Sequence, residues 1–383
     1  MAGAPVTFVY FIQDLGEPAV VRRVRMLTAG GAEVIPIGFR RSEAPVPTIA
    51  GVPTIDLGRS FDAHLGHRAY LIAKQVLGLR KFEALLRSAD VIMARNLDML
   101  FVAAAARKAY APQARLVYEC LDIHRLMLRK GPTSAALRAL EGQLLQACSL
   151  YVVSSPGFVD QYFAPQYPRR PPSLLIENKV LEADGPEAEF APVARTAGPP
   201  WRIGWFAQLR CRRSFDALKE IARRGNGMIE VVIRGRPMPH LLPNLEQEAR
   251  DAPHVTYLGP YARADLADIY QDIHFMWGIE YYDAGGNSDW LLPNRIYESG
   301  YALTPVIADR NTQTAKWLAG HGVGVLVDDP VGELPSFLQA LDDTAYDEME
   351  RRLNAIDPHS VICDRTECHE TVDALATLGA PPN

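Results

Sequence analysis

Short apolar runs punctuate this chain about every 20 to 40 residues, with helical spacing in the stretches between them. The first six are Val6–Ile12, Glu33–Gly38, Asp90–Ala94, Arg115–Glu119, Leu150–Ser154 and Ser173–Glu177. The second six are Trp201–Ala207, Ile229–Arg234, His254–Leu258, His274–Gly278, Thr304–Ala308 and Gly322–Val327. Strands that alternate with helices build βαβ units and parallel sheets. Two sets of six predict an α/β chain with two similar doubly wound sheets, in residues 1–181 and 201–350. Residues 182–200 between them are rich in Ala, Pro, Glu and Gly without periodicity, which is linker composition. Tyr346–Leu378 reads as helical, so residues 351–383 are expected to close the chain as a helical segment.

Leu65–Arg87 breaks the strand–helix rhythm. Its apolar positions alternate with Arg68, Lys74, Arg80, Lys81 and Arg87. A basic amphipathic helix of this kind can lie in a membrane interface. It can equally pack its apolar stripe on a sheet and leave its cations in water.

A length of 383 residues is long for one hydrophobic core and fits two domains. A hydrophobic share of 48% and a charged share of 22% are ordinary for a soluble globular protein. No apolar run reaches the roughly 18 residues of a membrane span. The first residues lack a basic region ahead of an apolar core, so no signal peptide is expected and a cytoplasmic location follows. Five scattered cysteines fit a reducing compartment. Charge is unevenly shared. Residues 1–180 hold 22 Lys and Arg against 14 Asp and Glu, and the remainder hold 18 against 31. The net charge of −5 therefore splits into +8 and −13. A basic first half suits an anionic surface, such as phospholipid head groups or a lipid diphosphate at the inner face of a cell membrane. Nucleic acid is not expected, because the cations are not interleaved with aromatics in a binding module.

The richest chemistry lies in residues 283–308. A loop of glycine and short polar side chains, including Asn287, Ser288 and Asp289, precedes a helix with Asn294, Arg295 and Glu298, and then the strand Pro305-Val306-Ile307-Ala308. Such a backbone can approach a ligand closely, and a helix start can receive an anion. The segment resembles the donor-sugar site of glycosyltransferases with the GT-B fold, of the family 4-like, polysaccharide-assembly type. Those enzymes place a Glu seven residues before a Pro-Val-Ile/Val-Ala strand to hold the ribose hydroxyls of a sugar nucleotide, and Glu298 and Pro305 keep that spacing. The family's second acidic residue is replaced here by Trp290.

The resemblance extends to the start of the second half. The family follows its first strand there with Gly-Arg-Leu and, after three residues, Lys-Gly; the Arg and Lys hold the donor diphosphate. Arg213 falls on the Lys position, Gln208 on the Arg position and Ser214 on the Gly. Arg210 and Arg212 can restore the missing charge. Fixed cations stabilise a nucleoside diphosphate as it leaves.

In the first half, the run Arg115–Glu119 ends in Tyr118-Glu119-Cys120-Leu121-Asp122-Ile123-His124; the family commonly has Tyr-Glu-x-His-Asp here, and this chain keeps Tyr118, Glu119 and Asp122 but has Leu121 where the His would be. An inverting transferase needs a group that takes the proton from the acceptor hydroxyl. Asp122 is the first candidate, Glu119 the second and His124 the third. Asp122 reads equally well as the N-cap of the next helix. Asp14 and Gly16 follow the first strand and Arg95 and Asn96 the third, so all four are expected on the acceptor side. Cys363-x4-Cys368-His369 lacks a second ligand pair for a metal site.

The resemblance thus implies two Rossmann-like domains with parallel sheets flanked by helices and a ligand cleft between them, the final helical segment packing back on the first. It implies a hexosyltransferase or glucuronosyltransferase that uses a nucleoside-diphosphate sugar, UDP by family habit, on a lipid-linked saccharide in bacterial polysaccharide synthesis, with no cofactor or metal. Two alternatives stand beside it: a sugar-nucleotide epimerase on the same fold, and a non-catalytic two-lobed sugar-binding protein.

Overall fold

The computed structural model describes residues 4–60, 65–182 and 195–379, apart from the side chains of residues 65–69 and 264. The chain divides into two compact units. One comprises Met1–Glu177, Leu181–Gly185 and Cys363–Asn383, the other Asn178–Val180 and Pro186–Ile362.

The sheet of the first unit contains β1 (Thr7–Ile12), β2 (Glu33–Arg40), β3 (Ile55–Arg59), β4 (Val91–Arg95), β5 (Arg115–Cys120), β6 (Leu150–Val153) and β7 (Ser173–Leu175), in the order β3-β2-β1-β4-β5-β6-β7. That of the second contains β8 (Trp201–Phe206), β9 (Ile229–Arg234), β10 (Val255–Tyr257), β11 (Phe275–Trp277), β12 (Val306–Asp309) and β13 (Val325–Val327), in the order β10-β9-β8-β11-β12-β13. Neighbouring strands pair in parallel in both sheets. Each sheet starts in its middle, runs outward, then returns to the other side of its first strand. Ligands of such sheets bind beyond the carboxyl ends of the strands at that reversal. The reversal lies between β1 and β4 in one unit and between β8 and β11 in the other.

All twelve predicted runs are strands, with ends shifted by three residues at most. The edge strand β3 was not predicted, because Asp56 and Arg59 hide its apolar pattern. Central strands are buried along most of their length, as helices covering both faces of a parallel sheet require. In the first unit, Phe8, Tyr10 and Ile12 join Val20, Val24 and Leu27 of the Pro18–Ala29 helix and Val372 and Leu375 of the Arg365–Thr377 helix. Gly30 permits the contact with that last helix, since a Cβ there would lie 2.3 Å from the Cys368 carbonyl oxygen. In the second unit, Trp201, Ile203 and Trp205 pack with Phe215, Leu218 and Tyr346. Phe206, Met276 and Val306 belong to another cluster, with Tyr270 and Tyr297.

Two expectations about the connections change. Most of the predicted linker, residues 183–194, lies outside the described residues. Its end is no free tether, because the Arg195 guanidinium donates to the carbonyls of Tyr270, Ala302 and Leu303 and pairs with Glu350 at 2.8 Å. The predicted helical tail is two helices, Asp343–Asn354 and Arg365–Thr377, interrupted around Asp357-Pro358. Pro358 fixes its φ and lacks an amide hydrogen, so it begins a new turn rather than extending the old helix. The segment 351–362 consequently belongs to the second unit, where Leu353 is buried. Two short strands, Val180–Leu181 and Ile362–Cys363, pair with each other.

Candidate active site

In the second unit, β8 ends at Phe206, and the chain turns into the Arg212–Gly225 helix. Gly235 lets the neighbouring loop come close: its φ is +136°, and a Cβ there would lie 1.8 Å from the Ala207 carbonyl oxygen. Gln208 donates to the Arg236 carbonyl at 2.8 Å, so its amide braces the two loops. Cys211 caps the helix, its sulfur accepting from the Ser214 amide.

The structure separates the three arginines that sequence leaves equivalent. Arg212, predicted as a donor ligand, is bound twice by Glu248, at 2.7 and 3.0 Å, and lies 3.6 Å from Asp216. Hydrogen bonding from Arg212 holds the Glu248 carboxyl down at about 2. Its charge is already matched, which corrects that assignment. Arg210 sits 3.8 Å from Glu280, with its guanidinium 4.8 Å above the Tyr282 ring. Arg213 lies 3.8 Å over the Tyr281 ring and, among the described residues, has no carboxylate partner. Burial pushes the Tyr281 hydroxyl up to about 12, so a neutral aromatic face supports this cation. Glu280, Tyr281 and Tyr282 were not singled out from sequence; their signal is a Glu-Tyr-Tyr run just past the predicted strand His274–Gly278.

Glu298 lies on the Asn294–Tyr301 helix and accepts from the Tyr270 hydroxyl at 3.1 Å. The Tyr270 ring meets Phe206, the last residue of β8, edge to face at 5.6 Å. Glu298 is thereby tied to the reversal between β8 and β11. Asn294 is exposed at the start of the helix. Arg295 points inward, donating through Nη2 to the Gly278 carbonyl just past β11, while its Nε has no partner among the described residues. In the preceding loop, Ser288 Oγ accepts from the Asp283 amide and Asp289 Oδ2 from the Gly285 amide. These side chains, predicted to contact the donor, also shape the loop. Asn287 is buried beside them.

In the first unit, the register sets Arg95 opposite Glu119. Glu119 is fully buried, accepting from Arg23 Nε at 2.6 Å, Arg95 Nη1 at 3.1 Å and the Tyr10 hydroxyl. Burial alone would raise its carboxyl, but Arg23, Arg95 and the hydrogen bonds outweigh burial and hold it below the usual carboxylate range. A carboxylate enclosed by two guanidiniums is no proton acceptor for a substrate, so Glu119 is withdrawn as a base. Arg95 also forms a double bond-pair with Glu17, at 2.6 and 3.0 Å, and serves this network rather than an open acceptor surface. Asn96, at φ +68°, donates to Gln13. Asp14 accepts from the Gly16 amide at 3.1 Å and lies 3.4 Å from Arg41, so it closes the turn after β1.

Asp122 and His124 are both exposed beyond the end of β5. The cap of the Arg125–Leu128 helix is His124, whose Nδ1 accepts from the Leu126 amide at 3.2 Å, and not Asp122. An accepting Nδ1 places the ring proton on Nε2, the nitrogen left for a ligand. In that tautomer Nε2 donates, so the cap competes with a role for His124 as a base. His124→Asn should therefore preserve both the cap and turnover. A fall in turnover of about 10²–10⁴-fold with an unchanged melting temperature would restore the base role.

Cys363 and Cys368 flank the start of the final helix, with sulfurs 3.7 Å apart in the core, as an apolar staple would be. Among the described residues, no group of three or more His, Cys, Asp or Glu could hold a metal ion.

No family model matches the chain. The succinoglycan biosynthesis protein ExoL of Rhizobium meliloti (strain 1021) is 42% identical over 374 residues, covering 96% of this chain and 93% of the relative. Among solved structures, Anabaena HepE in complex with UDP and glucose superposes with a TM-score of 0.67 at 18% identity, covering 97% of this chain and 99% of the other. Sucrose-phosphate synthase from Thermosynechococcus elongatus superposes with a TM-score of 0.65 at 16% identity, covering 97% and 95%. The strand orders, the two reversals and these likenesses agree on a GT-B fold of two Rossmann-like domains, and the identity to ExoL over nearly the whole length means that the chain belongs to the ExoL family of succinoglycan biosynthesis proteins.

Proposed function

We propose that this protein is a glycosyltransferase that moves a sugar from a UDP-sugar to a lipid-linked saccharide during assembly of a bacterial exopolysaccharide. The observation that carries the reading is Arg213: a cation without a carboxylate partner among the described residues, stacked on Tyr281 at the start of a 14-residue helix, at the reversal of the second sheet. The helix start adds its own affinity for phosphate. The relative's role in succinoglycan biosynthesis and the UDP complex of HepE support the choice of donor and pathway class.

In this reading Glu298 accepts hydrogen bonds from the ribose hydroxyls, and Arg213 with the helix start takes the diphosphate. The bond from the sugar C1 to the phosphate oxygen breaks as the acceptor oxygen bonds to C1. Charge then gathers on the leaving diphosphate, where a fixed cation lowers the barrier. Asp122 receives the acceptor proton if configuration inverts. The nucleotide sugar is a substrate, and the chemistry uses no metal. The protein works in the cytoplasm at the inner membrane face, where a lipid-linked acceptor is found.

Arg213→Ala and Glu298→Ala should each weaken UDP binding by about 1.5–3 kcal/mol, the range for hydrogen bonds to charged groups. Calorimetric titration with UDP measures it, and unchanged affinity in both variants removes the assignment. Consumption of the sugar nucleotide without any acceptor, yielding its epimer, would favour an epimerase instead.

A further inference from the structure

The helix Leu65–Gly78 continues through the turn Leu79–Phe82 into the helix Glu83–Arg87. Its inward side buries Gln75, Leu79 and Leu86. Its outward side is unusual. Leu77 is 86% exposed and Tyr70 62% exposed, the two largest values among the exposed large hydrophobic residues described. Tyr70, Lys74 and Leu77 are spaced i, i+4, i+7 and share one face of the helix. Lys74, Arg80 and Lys81 are exposed, and Lys81 lies 4.6 Å over the Phe82 ring. From Leu65 to Phe82 the chain has no acidic residue.

We propose that this face of the first unit docks on an anionic lipid surface. Tyr70 and Leu77 enter the boundary between head groups and acyl chains, and Lys74, Arg80 and Lys81 meet the lipid phosphates. Apolar groups on the same face as cations, with no acid among them, match a surface that is negative outside and apolar beneath. A partner of ordinary mixed charge would gain nothing from an acid-free stretch. Lysine stems also add apolar cover while their ammonium groups stay at phosphate depth. The choice of lipid rests on the transfer reading; the docking itself does not.

The test is co-sedimentation with vesicles of phosphatidylcholine alone or with added phosphatidylglycerol. The full chain should pellet with the anionic vesicles at least about tenfold better than with neutral ones, and lose this in high salt, where charges are screened within roughly 3 Å. Tyr70→Ala with Leu77→Ala, and separately Lys74→Glu with Arg80→Glu and Lys81→Glu, should each abolish pelleting while UDP titration stays normal. Equal pelleting with both vesicle types, or variants that pellet like the parent, overturns the proposal. So does a lipid-free dimer that Leu77→Ala dissociates, which would mean that a second copy covers the face. Failure of the parent to bind UDP while pelleting persists would instead count against the transfer reading.

Discussion

Asp122→Asn is expected to lower turnover by roughly 10²–10⁴-fold, the span for loss of a general base. Asp122 is the one of the three candidates that we propose as the base. Glu119 is enclosed by two arginines, and His124 spends its accepting nitrogen on the Leu126 amide. Asp122 remains exposed past the end of β5, and the cap that was its alternative role belongs to His124. UDP affinity should barely change, because the residues proposed to hold the donor belong to the other unit. If the enzyme retains configuration, no such base is needed and the loss should be small. Steady-state kinetics must therefore be read with the anomeric configuration of the product by NMR. An inverted product at near-normal rate excludes Asp122 as the base.

Glu119→Ala should destabilise the first unit by about 3–5 kcal/mol, the cost of stranding buried charge. Arg23 and Arg95 would keep their guanidiniums in the core with only Glu17, itself partly exposed, left to answer them. Urea unfolding at neutral pH measures this directly. The pH dependence gives a second reading. The folded-state pKa of Glu119 is depressed, so its contribution is present above the unfolded carboxylate value of about 4.3 and is lost as pH falls through the lower folded value. The variant should therefore lose less stability on acidification than the parent does. Glu141 acts with the opposite sign. Burial raises its carboxyl despite hydrogen bonds from Tyr118, Tyr162 and Tyr167, so it favours the fold most at low pH. A Glu119→Ala protein that unfolds at the parent's urea midpoint would show that the network holds no net stability.

Fold was legible because apolar runs of strand length are local. Loop chemistry pointed to the proposed donor segment for the same reason. What stayed hidden depends on partners far away in sequence. Arg212 and Arg213 are neighbours, and only Glu248, 36 residues after Arg212, separates a paired cation from one stacked on Tyr281. Glu119 looks like an active carboxylate until Arg23, 96 residues earlier, is brought against it. Ser288 and Asp289 have the composition of a binding loop, yet their oxygens fold the loop itself. The edge strand β3 escaped because a strand paired on one side needs less apolar pattern than one in the middle of a sheet.

The helix Arg365–Thr377 belongs to the core of the first unit although it follows all of the second. Residues near the very end of the chain, Val372 and Leu375, complete the cluster begun by Phe8 and Val20. Arg115 at the start of β5 also donates to the carbonyls of Thr377 and Leu378. During synthesis, which adds residues at about 5–20 per second, the second unit can close while the first still exposes the groove for this helix. The half that starts first is thus the half that finishes last, and a chain halted before Cys363 leaves the ribosome with apolar surface that only its missing end could cover.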